Sequence, residues 1–205
     1  KYLLAVLVVG VSGVIFMGFS TYKDAPPKPD YISPSGEAIV QKASVERGQL
    51  IFQRYALMEY GSMFGDGAVR GPDFTAEALH QVAVEMNDFY GQQVANGNVD
   101  ELSQIEKDGI SVRVKRELKV NRYDRERNVV VLTEGQAYAS ERLVEYYSSK
   151  FKGDHKEAFK PAGYITDDAE LKDLSAFFFW GAWVCAVERP GGESSYTHNW
   201  PFDEY

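Results

Sequence analysis

Cysteine and histidine are scarce in this chain. A single cysteine, Cys185, occurs among 205 residues, which excludes an internal disulfide and every metal-binding or haem-attachment motif that needs two cysteines. The three histidines, His80, His155 and His198, are too far apart for the i, i+3 or i, i+4 pairs that bind metals on a helix. We interpret them as surface or hydrogen-bonding residues, and Cys185 as a buried small apolar residue.

Positive charge is also in short supply. The chain has 22 Lys and Arg against 30 Asp and Glu, giving a net charge of -8, and no basic stripe stands out. This composition excludes nucleic acid as a partner. The chain also has no Walker, Rossmann, Gly-x-Ser-x-Gly or His-Glu-x-x-His motif, so we expect no catalytic residues within it.

Apolar residues, in contrast, are concentrated at the start of the chain. No charged residue occurs from Tyr2 to Phe19, and at about 1.5 Å per residue a helix of this length nearly crosses a hydrocarbon core of roughly 30 Å. We predict a transmembrane helix over residues 1–22. The alternative is a cleaved secretory signal, but its apolar run is usually shorter, about 7–15 residues, and no small-x-small cleavage site follows.

A proline-rich segment follows this helix. Residues 24–34 read DAPPKPDYISP, and proline disfavours helix and stiffens the chain. We predict an extended linker over residues 23–35, which lifts a domain formed by residues 36–205 off the bilayer.

Two apolar helices are predicted near the ends of the domain. Thr75 is a suitable N-cap for the first, whose apolar residues recur at helical spacing as far as Val94. The second begins at Thr166 to Asp168 and carries an aromatic run from Phe177 to Trp183. Its apolar stretch is too short to cross a membrane, so we predict a buried or interfacial helix.

Between these helices, residues from about 97 to 160 are predicted to form a helical insertion. A helix over Glu101 to Leu118 is expected to be interrupted by Gly109. A short β-prone run follows at Val129 to Leu132, and Thr133 to Gln136 matches a capping box that opens another helix. The section therefore resembles a helical pair with a hairpin or a lone strand between its members.

The segment from Gly48 to Phe74 is unusually rich in glycine. A short apolar helix runs there into a loop whose glycines indicate that backbone closely approaches a cofactor, an ion or a partner. Asp66 and Asp73 bracket the loop and could bind a hard cation. In the alternative interpretation, Asp66 caps a turn and Asp73 starts the following helix.

Two stretches carry a family resemblance. They read GQLIFQRYALMEYGSMFGDGAVRGPDFTAEAL, from Gly48, and FFFWGAWVCAVERPGGESSYTHNWPFDE, from Phe177. Both resemble the N-terminal region of quinol-dependent nitric oxide reductases, membrane enzymes of the haem–copper oxidase superfamily. The first is also similar to the cytochrome c subunit of the related cytochrome-dependent enzymes. On that pattern Leu57 and Tyr60 replace the two thioether cysteines, and Gly61 replaces the haem-ligating histidine.

The resemblance implies a mainly α fold: one N-terminal transmembrane helix, followed by a cytochrome c-like helical domain with a short β element and no covalently bound haem. Haem b, haem b3 and a non-haem iron would lie in the catalytic bundle. A calcium ion would bind the backbone carbonyls of Gly67 and Val69, although the family usually has tyrosine at the second position. Arg70 would pair with a haem propionate, because a guanidinium binds a carboxylate bidentately.

The implied function is reduction of NO to N2O by quinol, with this domain on the extracytoplasmic side of the cell membrane, capping the bundle. The implied partners are that bundle, in the same polypeptide or another subunit, membrane lipid, and a second copy in a homodimer. One alternative is a nitric oxide dismutase on the same scaffold, producing N2 and O2. Another is a membrane-tethered binding or sensor domain, which would be soluble and monomeric without its first twenty-five residues. The enzyme hypothesis predicts aggregation or exposed aromatic surface around Phe177 to Trp183 and Tyr196 to Trp200.

Overall fold

Helices make up most of the fold, and the prediction of a mainly α chain with a short β element is confirmed. The computed structural model describes residues 2–65, 71–95, 102–154, 161–192 and 194–198. In chain order, the elements in these ranges are α1 Tyr2–Lys23, β1 Asp30–Ile32, β2 Ala38–Val40, α2 Lys42–Arg54, a 3-10 turn Leu57–Glu59, α3 Phe74–Val94, α4 Gln104–Lys119, β3 Tyr123–Asp124, β4 Val129–Val131, α5 Glu134–Lys152 and α6 Asp168–Ala186.

Helix α1 is long and apolar enough to cross a membrane, judged by its length and composition. None of its residues is buried against the rest of the protein. An apolar helix exposed on all sides is unfavourable in water. A membrane or a partner helix would cover the side chains that the domain leaves bare.

Helix α6 is the centre of the domain and packs against α2, α3 and α5. Every residue from Leu174 to Ala186 is buried. The Phe178 ring stacks on Phe74 with centroids 4.9 Å apart and lies 4.7 Å from Tyr147. A helix that is apolar on all sides must be packed against other elements on all sides, and α2, α3 and α5 surround α6 in this way.

Of the two predicted alternatives, a buried or an interfacial helix, the structure shows the buried one. It also corrects the exposure of the aromatic residues that the enzyme hypothesis predicts. From Phe177 to Trp183, no side chain is more than 7% exposed, so the aromatic surface predicted there is wrong. In the second predicted region, Tyr196 and Thr197 are half-buried and His198 is exposed, while Trp200 lies outside the described residues.

A four-stranded sheet with the order β2-β1-β4-β3 covers one side of α6. Strand β1 pairs in parallel with β4, and the two outer pairs are antiparallel. Tyr31, on β1, is fully buried, with its ring 5.4 Å from Phe179 and 5.8 Å from Trp183 in edge-on geometry. The sheet therefore adds an aromatic layer to the core formed by the helices.

Strand β1 belongs to the segment that we predicted to be a spacer. The Pro27 carbonyl accepts a hydrogen bond of 2.9 Å from Trp180 Nε1, and Pro29 is buried. This segment is therefore extended but does not stand apart from the domain, because its backbone supplies a strand to the sheet and an acceptor to α6.

The elements between α3 and α6 confirm the predicted helical pair with a hairpin. Thr133 forms a complete capping box with Gln136 at the start of α5, as predicted. Helix α4, however, continues through Gly109 without interruption. A side chain at Gly109 would meet no atom within 4 Å, and an isolated glycine weakens a helix by only about 1 kcal/mol relative to alanine.

The buried Glu117 carboxylate joins three of these helices. It accepts hydrogen bonds of 2.7 Å from the hydroxyls of Tyr90 and Thr133 and of 2.9 Å from Arg113 Nε. Burial by itself would raise the pKa of Glu117, but these three donors outweigh it and hold the pKa below the ordinary value of 4.5. The ionised carboxylate thus ties α4 to α3 and to the start of α5.

Candidate functional site

Two stretches of the glycine-rich segment pair with each other beside α6. We call these stretches, residues 61–65 and 71–75, the loop clamp. Residues 66–70, between them, lie outside the described part of the chain. The predicted site residues Gly67, Val69 and Arg70 fall in this gap, as does Asp66.

Backbone hydrogen bonds close the loop clamp. Ser62 N–H donates to the Pro72 carbonyl at 3.0 Å, and Phe74 N–H donates to the Ser62 carbonyl at 2.9 Å. A side chain at Gly61 would lie 2.5 Å from the Pro72 oxygen, and one at Gly71 would overlap the Tyr60 oxygen. These two glycines permit close approach, as the sequence indicated, but what they approach is the protein's own backbone.

Asp73 fastens the loop clamp to the start of α3. Its Oδ1 accepts from Ala76 N–H at 2.8 Å, and its Oδ2 accepts from Ser62 Oγ at 2.7 Å and Gly65 N–H at 2.6 Å. Asp73 is therefore the N-cap of α3, in agreement with the structural alternative for this residue.

The prediction that Thr75 caps this helix is wrong. Thr75 lies inside the first turn of α3 and is buried, and its Oγ1 accepts a hydrogen bond of 3.1 Å from Phe64 N–H. A threonine before an apolar periodic run is a common N-cap, but the aspartate two positions earlier occupies that role here. Thr75 instead holds residues 61–65 of the clamp against α3 through its hydrogen bond with Phe64.

The loop clamp rests on α6. The Phe64 ring meets Trp180 edge-on at 5.9 Å, and the Met63 methyl group lies against Gly181. Beside this contact is a shallow cavity of about 330 Å³, lined by Phe64, Gly65, Asp73, Thr75, Ala76, Leu79 and Cys185. The cavity is mostly apolar, so it suits an apolar side chain of a docking partner better than a charged ligand.

The positions that correspond to haem attachment hold no haem ligand. Leu57 is fully buried, the Tyr60 ring packs 5.4 Å from Tyr164, and Gly61 lies against the Phe74 ring. A c-type haem needs two thiols and an axial ligand, and none of these residues supplies either. The residues at this site therefore do not fit a covalently bound haem. In the described ranges, no group of three or more His, Cys, Asp or Glu could hold a metal ion.

Sequence reasoning missed the pairing of Ser62 with Asp73 and of Phe64 with Thr75. Each pair spans eleven residues of an irregular loop, where no periodic pattern predicts contacts. One signal in the sequence was available, namely Asp73 just before an apolar helix. An aspartate at an N-cap accepts a hydrogen bond from the backbone N–H of the third helical residue, which is Ala76 here.

The fold and the site define a class: a helical domain with a glycine-clamped loop, carried behind one candidate membrane helix. Residues 29–202 match the cytochrome c-like domain of the nitric oxide reductase protein NorB, and the chain belongs to this family. The match begins at Pro29, where the chain also becomes buried. No curated protein matches the chain. Membership of the family makes the chain a component of a nitric oxide reductase, an oxidoreductase that forms a larger membrane complex.

Proposed function

We propose that this chain is the anchored N-terminal part of a quinol-dependent nitric oxide reductase. The whole enzyme would convert two NO and one quinol to N2O, water and quinone. Residues 1–22 form the anchor, residues 23–35 lead from it into the domain and supply strand β1 to its sheet, and residues 36–205 form the rest of the extracytoplasmic domain. The observation that carries the proposal is the family match over residues 29–202, behind an uncovered apolar helix.

Within that enzyme, the domain caps the catalytic bundle instead of passing electrons. Leu57, Tyr60 and Gly61 support this role, because they leave the chain without the attachment residues of an electron-carrying cytochrome. Haem b, haem b3 and the non-haem iron of the bundle supply the redox chemistry. The loop clamp contributes a surface that faces the bundle.

The experiment that tests this function uses the intact enzyme that contains this chain. We expect b-type haem absorption and consumption of NO with a quinol donor, and much slower consumption with reduced cytochrome c. Mass spectrometry of the gas formed from ¹⁵N-labelled NO should detect N2O. Formation of N2 and O2 would assign the dismutase reaction instead, and absence of both b-type spectra and NO consumption would rule out the proposal.

We also propose that the loop between the two ends of the clamp contacts the haem region of the bundle. The Gly67 and Val69 carbonyls would bind calcium, and Arg70 would pair with a propionate. Replacing Arg70 with Gln should shift the reduction potential of a haem in the assembled enzyme. Arg70→Lys should shift it less, since lysine keeps the positive charge, although it cannot donate two parallel hydrogen bonds to a carboxylate. Equal potentials in all three proteins would contradict the contact, and elemental analysis of purified enzyme tests the calcium.

One observation favours a second candidate. The aromatic residues of α6 are buried by helices of the same chain, so the domain has a complete core of its own, as a membrane-tethered binding or sensor module requires. Isolation of the complex decides between the two. The enzyme hypothesis requires that the chain stay with the haem-containing bundle through purification in mild detergent, whether the two are fused or separate.

A further inference from the structure

A cavity of about 450 Å³ lies at the foot of α1. It is formed by the end of that helix, the hairpin of β3 and β4, and the turn that follows α6. Three cationic residues line it, Lys23, Arg125 and Arg189, together with the aromatic residues Tyr123 and Tyr196. No sequence pattern predicts this cluster, because about a hundred residues separate Lys23 from Arg125 and about sixty separate Arg125 from Arg189.

The cationic residues of this cavity differ from several others in the chain, which are paired with carboxylates. Arg47 is paired with Asp173, Arg54 with Glu170 and Lys150 with Glu77. In the described part of the chain, Lys23, Arg125 and Arg189 form no ion pair. Their charge is therefore available to a ligand, although the protein as a whole carries a net charge of -8.

Arg189 and Tyr196 form the rigid wall of the cavity. Arg189 Nη2 donates to the Tyr196 carbonyl at 2.9 Å, and its guanidinium lies 5.5 Å from the Tyr196 ring centroid. Burial raises the pKa of the Tyr196 hydroxyl, so it stays protonated. This hydroxyl accepts from Asn121 Nδ2 at 3.5 Å, which leaves its own proton for another acceptor.

The cavity lies at the level of a lipid headgroup if α1 crosses the membrane. The apolar stretch of α1 ends at Phe19, and Lys23 is the last residue of this helix. Lysine and tyrosine at the ends of a membrane helix sit among the headgroups. A phosphodiester there offers one negative charge and two oxygens that accept hydrogen bonds from guanidinium, ammonium and phenol groups.

We propose that this cavity binds the headgroup of an anionic phospholipid from the leaflet in which α1 ends. Asp24 also lines the cavity and would repel the phosphate. Three cations against one carboxylate still leave an excess of positive charge, and Asp24 favours headgroups with hydroxyl donors, as in phosphatidylglycerol. The inference rests on the proposed membrane anchor, but not on the NO chemistry.

The test uses the full chain, including α1, in detergent. Dioctanoyl phosphatidylglycerol is titrated and the bound lipid is counted by native mass spectrometry. We expect one tightly bound lipid. Each Lys or Arg near a membrane surface strengthens binding about fivefold. Arg125→Gln should therefore weaken binding about fivefold, and the Lys23→Gln/Arg125→Gln double variant about 25-fold.

The matched control is Arg127→Gln. Arg127 is exposed on the same hairpin turn as Arg125 but does not line the cavity. Its replacement should change the affinity less than twofold. If Arg127→Gln weakens binding as much as Arg125→Gln, the effect is one of overall charge and the proposal is overturned.

Two other ligands test whether the cavity recognises an anionic lipid headgroup, a neutral headgroup or free phosphate. Dioctanoyl phosphatidylcholine should bind much more weakly, because its headgroup has no net charge, and inorganic phosphate should not displace the lipid at equal concentration. Equal binding of phosphatidylcholine, displacement by inorganic phosphate, or no retained lipid would each overturn the proposal. NO consumption by the intact enzyme is measured separately, so a failure here is distinct from a failure of the proposed enzyme function.

Discussion

The carboxylates of Asp73 and Glu117 each accept three hydrogen bonds, but they organise the chain at different scales. The donors to Asp73 all lie within eleven residues of it and belong to one loop and the helix that follows. The donors to Glu117 include Tyr90 and Thr133, which lie 27 and 16 residues away on or beside other helices. The first carboxylate shapes a surface, whereas the second holds helices together.

The two regions also differ in what surrounds the carboxylate. At the loop clamp, backbone packs directly on backbone, and no added atom fits beside Tyr60 or Pro72. Around Glu117 the contacts are made by side chains, which can rearrange when one is replaced. The clamp should therefore be more sensitive to added volume, and the Glu117 site to lost charge.

The largest effect is expected for Gly71→Ala. Its methyl group would overlap the Tyr60 carbonyl oxygen, and the backbone must move to admit it. Overpacking of this kind costs about 3 kcal/mol or more. Denaturant unfolding of the full chain in detergent, followed by near-ultraviolet circular dichroism, measures the loss.

Gly109→Ala is the matched control for this substitution. The new methyl group would meet no atom within 4 Å, and alanine favours a helix over glycine by about 1 kcal/mol. This variant should be as stable as the parent or slightly more stable. Equal destabilisation by the two substitutions would show that the close approach at Gly71 does not contribute to the free energy of unfolding.

The second effect is expected for Glu117→Gln, which removes the charge but nearly keeps the shape. The amide oxygen can still accept from the Tyr90 and Thr133 hydroxyls, which share Oε2 in the parent, although the bonds no longer involve a charged acceptor. The NH₂ group then faces Arg113 Nε, which loses both its acceptor and its ion pair. Hydrogen bonds to charged groups contribute about 1.5–3 kcal/mol each, so we expect a loss of about 2 kcal/mol. Arg113→Gln should cost less, because the Arg113 side chain is 54% exposed.

The stabilisation by Glu117 should also depend on pH. Its pKa in the folded protein is below the ordinary value of 4.5, so the folded state favours the ionised form. This contribution is fully present above about pH 4.5 and is lost as the pH falls through the folded-state pKa. The difference in unfolding free energy between the parent and Glu117→Gln should therefore shrink below pH 4.5. A constant difference down to pH 3 would contradict the assigned cause.

Local signals in the sequence were sufficient where the interaction is local. The capping box at Thr133, the strand at Val129–Val131 and the burial of α6 follow from patterns a few residues long. The strand at Asp30–Ile32 did not follow, since its partner β4 is about a hundred residues away. Proline dominates its neighbourhood and indicated a linker.

The candidate site was predictable in kind but not in detail. The glycines indicated close backbone approach, which the loop clamp shows, but no pattern specified that Gly71 approaches Tyr60 instead of a ligand. The aromatic run from Phe177 to Trp183 has no polar face, so periodicity could not distinguish cover by the same chain from cover by a partner. That distinction depends on three helices brought together by tertiary packing.

The smallest effect is expected for Asp73→Asn. This substitution keeps the helix cap but removes the hydrogen bonds from Ser62 and Gly65. Asparagine caps a helix about as well as aspartate, so its oxygen can still accept from Ala76. Its NH₂ group cannot accept from Ser62 Oγ and Gly65 N–H, which bond to Oδ2 in the parent. We expect a loss of about 1 kcal/mol, with faster hydrogen exchange of the Gly65 amide than of the Ala76 amide. Asp73→Ala removes both functions and should cost about 1 kcal/mol more. Equal stability of the two variants would mean that the cap carries no energy and that Asp73 acts on the loop alone.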